Sequence, residues 1–100
     1  MPNSTMDKAK ALQILREHKL EFARDFGVEE IGIFGSYASD RATPQSDMDI
    51  FAKMPPKFDR VVRLQERLEK LLGCRVDLIR LRSRMNARLR ENIQREGLCA

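Results

Sequence analysis

A chain of 100 residues is the size of one compact domain, and 42% hydrophobic residues give it a thin but real core and argue against disorder. Nineteen Lys and Arg against fifteen Asp and Glu leave a net charge of +4, which is compatible with phosphate ligands, nucleic acid or an acidic protein face and selects none of them. The two cysteines, Cys74 and Cys99, form no C-x-x-C pair and the single histidine, His18, is distant from both, so the sequence argues against a zinc site and for reduced cysteines.

In chain order, residues 1–5 read as a loose start. The pattern from Asp7 to Phe26 is helical: Leu12, Leu15, Phe22 and Phe26 recur on one face with Ala11. Asp7 belongs to the first turn, where a negative charge suits the helix dipole, and Gly27 is the stop. Residues 30–35 are short, β-branched and bounded by turn residues, and predict a strand. Residues 37–46 predict a loop, with a helical turn over 36–40. A second strand over 48–54 stops at Pro55-Pro56. Val61, Leu64, Leu68 and Leu71 predict a helix over 58–72, closed by Gly73. A third strand is expected over 75–81, and a last helix over 84–96 on Met85, Leu89 and Ile93.

This order predicts one α+β domain over 1–100, with a small mixed sheet of about three strands flanked by helices. The crossover through the 58–72 helix is long enough to make the second and third strands parallel. The polar start is no signal peptide and no apolar run approaches the roughly 20 residues of a membrane helix. A cytoplasmic protein without a membrane partner is expected.

The chemistry is concentrated in a few acidic residues. Residues i and i+2 of a strand share a face, so Asp47 and Asp49 stand side by side while Met48 and Ile50 point into the core. Two such carboxylates repel and raise each other's pKa unless a cation lies between them. Mg²⁺ prefers hard oxygen ligands and is commonly held by one or two carboxylates plus substrate phosphates. Alone, the D-x-D pair reads more readily as two solvated edge carboxylates than as a metal clamp. Asp77 sits inside an apolar strand, where a charge is expensive unless paired or metal-bound. A salt bridge to Arg75 or Arg80 is the plain explanation; a place beside Asp47 and Asp49 is the other. Three carboxylates from adjacent strands can hold two magnesium ions, and Asp77 can take a proton from an attacking hydroxyl.

Gly35-Ser36 directly follows the first strand and precedes the D-x-D by 11 residues, counted from Ser36 to Asp47. Glycine admits a phosphate close to the backbone, the following N–H groups can point at it, and Ser36 adds a hydroxyl. Without the carboxylates this is an ordinary turn.

Together, Gly35-Ser36-Tyr37-Ala38 and Ser46-Asp47-Met48-Asp49-Ile50 resemble the G-S-x-A … S-D-x-D-[LI] signature of the polymerase-β-type nucleotidyltransferase superfamily. The small size resembles its minimal nucleotidyltransferase (MNT) branch, and Asp77 matches the third carboxylate of the pattern. The resemblance implies the nucleotidyltransferase fold, metal binding by Asp47, Asp49 and Asp77, and a catalytic base at Asp77. It implies a triphosphate held by Gly35 and Ser36, ATP as substrate and Mg²⁺ as cofactor. MNT proteins are often antitoxins that transfer AMP to a tyrosine of a HEPN-domain RNase toxin, so a HEPN partner is implied as well, in a hetero-oligomer or beside a homo-oligomer. Ser39 and Asp40 replace the Arg-Gly usual at this point of the signature, and Arg41 is the residue able to compensate in nucleotide binding.

Two other functions are compatible with the residues. The altered 39–40 segment suits an antitoxin that neutralises by contact alone. The arginines Arg75, Arg80, Arg82, Arg84, Arg88, Arg90 and Arg95 suit a nucleic-acid-binding face, although no aromatic residues interleave with them for stacking and a solvated helix face explains them as well.

Overall fold

The computed structural model describes residues 7–38, 47–81, 91, 93, 95 and 97–100. In chain order they form α1 (Lys8–Glu17), α2 (Lys19–Phe26), β1 (Glu30–Phe34), α3 (Gly35–Ala38), β2 (Met48–Lys53), α4 (Phe58–Leu72), β3 (Val76–Arg80) and β4 (Leu98–Cys99). The three expected strands and the 58–72 helix are present. The expected loop beyond residue 38 and most of the expected helix over 84–96 lie outside the described residues; Glu91, Ile93 and Arg95 are helical.

Two elements differ from the sequence reading. The first helix is two helices, broken at His18. The His18 ring, protonated at Nδ1, donates to the Ile14 carbonyl at 2.8 Å and competes there with the residue's own backbone N–H, which is shared between the Ile14 and Leu15 carbonyls at 3.2 and 3.3 Å. Its ring also stacks against Phe22, so His18 is half-buried at the break. Asp7 likewise lies just before α1, as its N-cap, accepting from the Lys10 N–H at 2.8 Å.

The second difference is β4. The four-stranded sheet runs β3-β2-β1-β4, with β1 antiparallel to both β2 and β4 and β2 parallel to β3. The mixed sheet and the parallel crossover pair are as expected; the fourth strand is additional.

One face of the sheet is covered by helices. Ile31, Ile33, Met48, Ile50, Ala52 and Val76 pack with Ala11, Leu15 and Phe22 from α1 and α2, and with Leu64, Leu68 and Leu72, a single i, i+4, i+8 stripe of α4. Arg67 of α4 donates twice to Glu21 of α2, at 2.9 and 3.2 Å, tying the two helices outside this core. Leu64 is fully buried, so Leu64→Ala is expected to cost about 2–5 kcal/mol in urea unfolding, through lost burial and the cavity left behind. A loss under about 1 kcal/mol would mean that the α4 stripe does not carry the core.

The other face carries Phe34, Phe51 and Ile93 in a second, smaller cluster joined by Ile79 and Leu81. Gly32 makes room for it, because a Cβ there would meet the Phe51 ring and the Leu98 carbonyl. None of the described helices is long and apolar enough to cross a membrane.

Candidate active site

Strand alternation places the acidic residues. Met48, Ile50 and Ala52 of β2 are buried in the main core, which turns Asp49 and Phe51 to the opposite face. In β3, Val76 goes into the same core, which turns Asp77 and Ile79 the other way. The register then aligns Asp49 with Phe34 of β1 on one side and with Asp77 of β3 on the other. Asp49 and Asp77 are therefore direct neighbours on one face, at the end of the sheet where β1 finishes and β2 and β3 begin. Asp47 lies one residue before β2, exposed and near enough for its charge to act on Asp49.

Gly35 closes this end. It has φ +73°, and a Cβ built on it would overlap an Asp49 carboxylate oxygen and lie 3.2 Å from its Cγ. The turn that follows β1 thus presses its backbone against the Asp49 carboxylate, an approach only glycine allows. α3 starts at this residue, as the expected helical turn. The Ser36 side chain, Arg41 and the Ser39-Asp40 segment lie outside the described residues.

Asp49 is half-buried, and Asp47 and Asp77 are exposed. Burial raises the Asp49 pKa above its ordinary 3.8, and the nearby charges of Asp77 and Asp47 raise it further. The electrostatic cost anticipated for Asp77 therefore falls on Asp49. Asp77 itself is exposed, so the argument from a charge buried within an apolar strand does not hold; its position beside Asp49 is what distinguishes it. No ion pair joins it to Arg75 or Arg80 among the described residues.

Two neighbours complete the surroundings. Tyr37 is packed into the main core, and burial first, then Cys74 and Asp47, push its hydroxyl pKa up. Cys74 is half-buried two residues before β3, and burial first, then Glu69 and Asp47, raise its thiol pKa. Cys74 thus borders the acidic end, and nothing in its sequence neighbourhood signals this.

The donors are hard carboxylate oxygens, one of them held in an environment that disfavours its charge. This chemistry fits Mg²⁺. As the side chains stand, no three His, Cys, Asp or Glu among the described residues surround one point closely enough to ligate an ion. Mg²⁺ needs only one or two protein carboxylates when substrate phosphates and water supply the remaining ligands. Asp47 and Asp77 are both exposed, and Asp77 is the register neighbour of Asp49.

The sequence model of the nucleotidyltransferase domain family matches residues 15–98, an interval that spans β1, the Gly35 turn and all three carboxylates. The chain belongs to this family. As a nucleotidyltransferase it is 41% identical over 85 residues to the protein adenylyltransferase MntA of Thermococcus cleftensis, covering 83% of this chain and 85% of that one. A solved structure described as a candidate minimal nucleotidyltransferase superposes with a TM-score of 0.76 at 34% identity, covering 96% of this chain and 98% of the other. A toxin–antitoxin complex crystallised with AMP-PNP superposes with a TM-score of 0.67 at 25% identity, covering 83% of this chain and 69% of that one.

Proposed function

We propose that this nucleotidyltransferase moves AMP from ATP to a tyrosine hydroxyl of a HEPN-domain toxin and so acts as its antitoxin. The observation that carries the reading is the row formed by Asp49 and Asp77 in register, closed by the Gly35 backbone. It is supported by the similarity to a protein adenylyltransferase and by the fold shared with a nucleotide-bound toxin–antitoxin complex. The HEPN partner and its tyrosine come from the MNT resemblance.

Asp47 and Asp49, with Asp77 completing the set, would hold the magnesium. The metal would supply charge neutralisation along the triphosphate and a lower pKa for the attacking hydroxyl. Gly35 and Ser36 receive the phosphates at the end of β1, where a side chain at residue 35 would stand in the way. Asp77, exposed and beside the metal-binding pair, accepts the hydroxyl proton. The hydroxyl oxygen bonds to the α-phosphorus, the bond to the bridging oxygen breaks, and pyrophosphate leaves. Asp49 is half-buried, and partial removal from bulk water would strengthen its attraction for a cation.

Cells carrying the toxin gene provide the test. Wild type should protect them and leave AMP on a toxin tyrosine, read by peptide mass spectrometry. The Asp47→Ala/Asp49→Ala protein should do neither. Full protection by that double variant, with an unmodified toxin, would replace transfer with neutralisation by contact.

A further inference from the structure

We infer that Glu69 of α4 is a positioning residue for the reaction, because its carboxylate fixes the start of β3 and thereby the place of Asp77 beside Asp49. Its Oε2 accepts a hydrogen bond from the Val76 backbone N–H at 3.1 Å. The inference rests on the proposed role of Asp77.

The ladder shows why that bond matters. On the side facing β2, the Arg75 carbonyl accepts from the Met48 N–H and the Leu81 N–H donates to the Ala52 carbonyl, each at 2.8 Å. Odd-numbered residues of β3 therefore point their backbone groups at β2, and even-numbered ones point away from it. β3 is the last strand in the sheet order, so the Val76 N–H has no strand to donate to within the described sheet. Glu69 supplies the acceptor. The first residue of β3 is then held from both sides, by Met48 through Arg75 and by α4 through Glu69, and Asp77 is the next residue along.

The location of Glu69 is electrostatically unfavourable. It stands in the last turn of α4, where the helix ends in partial negative charge, and the Gly73 N–H bonds its own backbone carbonyl at 2.8 Å. A carboxylate there is repelled by the helix terminus, and its charge also raises the Cys74 thiol pKa. The bond to Val76 is what the half-buried side chain gains. Without it, an edge strand whose chain has just left a helix through Gly73, Cys74 and Arg75 loses its outer fastening, and Asp77 drifts relative to Asp49.

Glu69→Ala, Glu69→Gln and Asp77→Asn separate the possibilities. Three quantities are read: Val76 amide hydrogen exchange, the Mg²⁺ concentration for half-maximal transfer, and kcat against KM for ATP. In Glu69→Ala the Val76 amide should exchange faster, kcat should fall about tenfold and the Mg²⁺ requirement should rise, with KM for ATP changed less than about twofold. Glu69→Gln keeps an acceptor oxygen and should restore kcat and amide protection to within about twofold of wild type. Glu69→Ala with kcat and Mg²⁺ requirement unchanged, while Asp77→Asn is inactive, would overturn the role of Glu69 and leave that of Asp77 standing. A Glu69→Gln protein as impaired as Glu69→Ala would overturn the hydrogen-bond account. Asp77→Asn at the wild-type rate would overturn the reading of Asp77 and the role of Glu69 with it.

Discussion

Asp49→Asn is expected to abolish nucleotide transfer while making the free protein more stable. Asp49 is the half-buried member of the acidic row, in register with Asp77 and touching the Gly35 turn. Asp49 is proposed to hold the ion that would neutralise phosphate charge, so its loss should forfeit several kcal/mol of transition-state stabilisation and about a hundredfold or more in kcat/KM. The stability effect has the opposite sign. Burial, then Asp77 and Asp47, hold the folded Asp49 pKa above its ordinary 3.8. Between that value and the raised one the folded state binds more protons than the unfolded chain, so stability falls as pH rises through the window and stays reduced above it. Asn has no proton to lose. Thermal unfolding without metal should show the Asp49→Asn advantage appearing above pH 3.8 and persisting at neutral pH. Adding Mg²⁺ with nucleotide should stabilise wild type by mass action and the variant much less. A variant less stable than wild type at neutral pH in chelator would contradict the electrostatic account of Asp49.

Gly35→Ala is the second large effect. Its φ of +73° costs a non-glycine residue roughly 1–2 kcal/mol. The added methyl also overlaps the Asp49 carboxylate, so that side chain or the turn must move. A misplacement of about 1 Å at reacting groups can cost on the order of a hundredfold in rate, and a loss of that size is expected for transfer. Gly73→Ala is the internal control. Gly73 has a similar φ, +68°, and nothing within 4 Å of a built Cβ, so it should lose comparable backbone stability and retain transfer. Denaturation and initial-rate measurements on both variants separate strain from contact. Equal losses of rate in the two would show that the approach to Asp49 is irrelevant.

The elements that announce themselves by periodicity were legible. The spacing of Leu64 and Leu68, the Gly27 and Gly73 stops and the alternation through Met48 and Ile50 put α4 and the first three strands within a residue or two of their places. β4 was not legible because two residues, Leu98 and Cys99, carry no period; the strand exists only through its pairing with Gly32 and Ile33. The break at His18 arises from a side chain competing for a backbone carbonyl, which hydrophobic spacing does not register.

The motif residues of the site were legible as types, and their juxtaposition was not. Register is a tertiary property. A one-residue slip of β3 would send Asp77 into the core, and a two-residue slip would part it from Asp49 by roughly 6.6 Å along the strand. Burial of Val76 against the same core as Met48 excludes the first, and the Met48–Arg75 and Val76–Glu69 bonds pin the strand against the second. The weight placed on Asp77 as a buried charge belonged to Asp49, because exposure cannot be read from flanking apolar residues when one sheet face ends in solvent.

The most direct measurement uses ATP labelled either in the α-phosphate or in the γ-phosphate, incubated with Mg²⁺, this protein and the HEPN-domain protein proposed as its partner. The α-label should pass to the HEPN protein, the γ-label should leave as pyrophosphate, and Asp49→Asn should transfer neither. Transfer of the γ-label, or α-labelling that survives Asp49→Asn, would contradict a nucleotidyl transfer centred on the Asp49–Asp77 row.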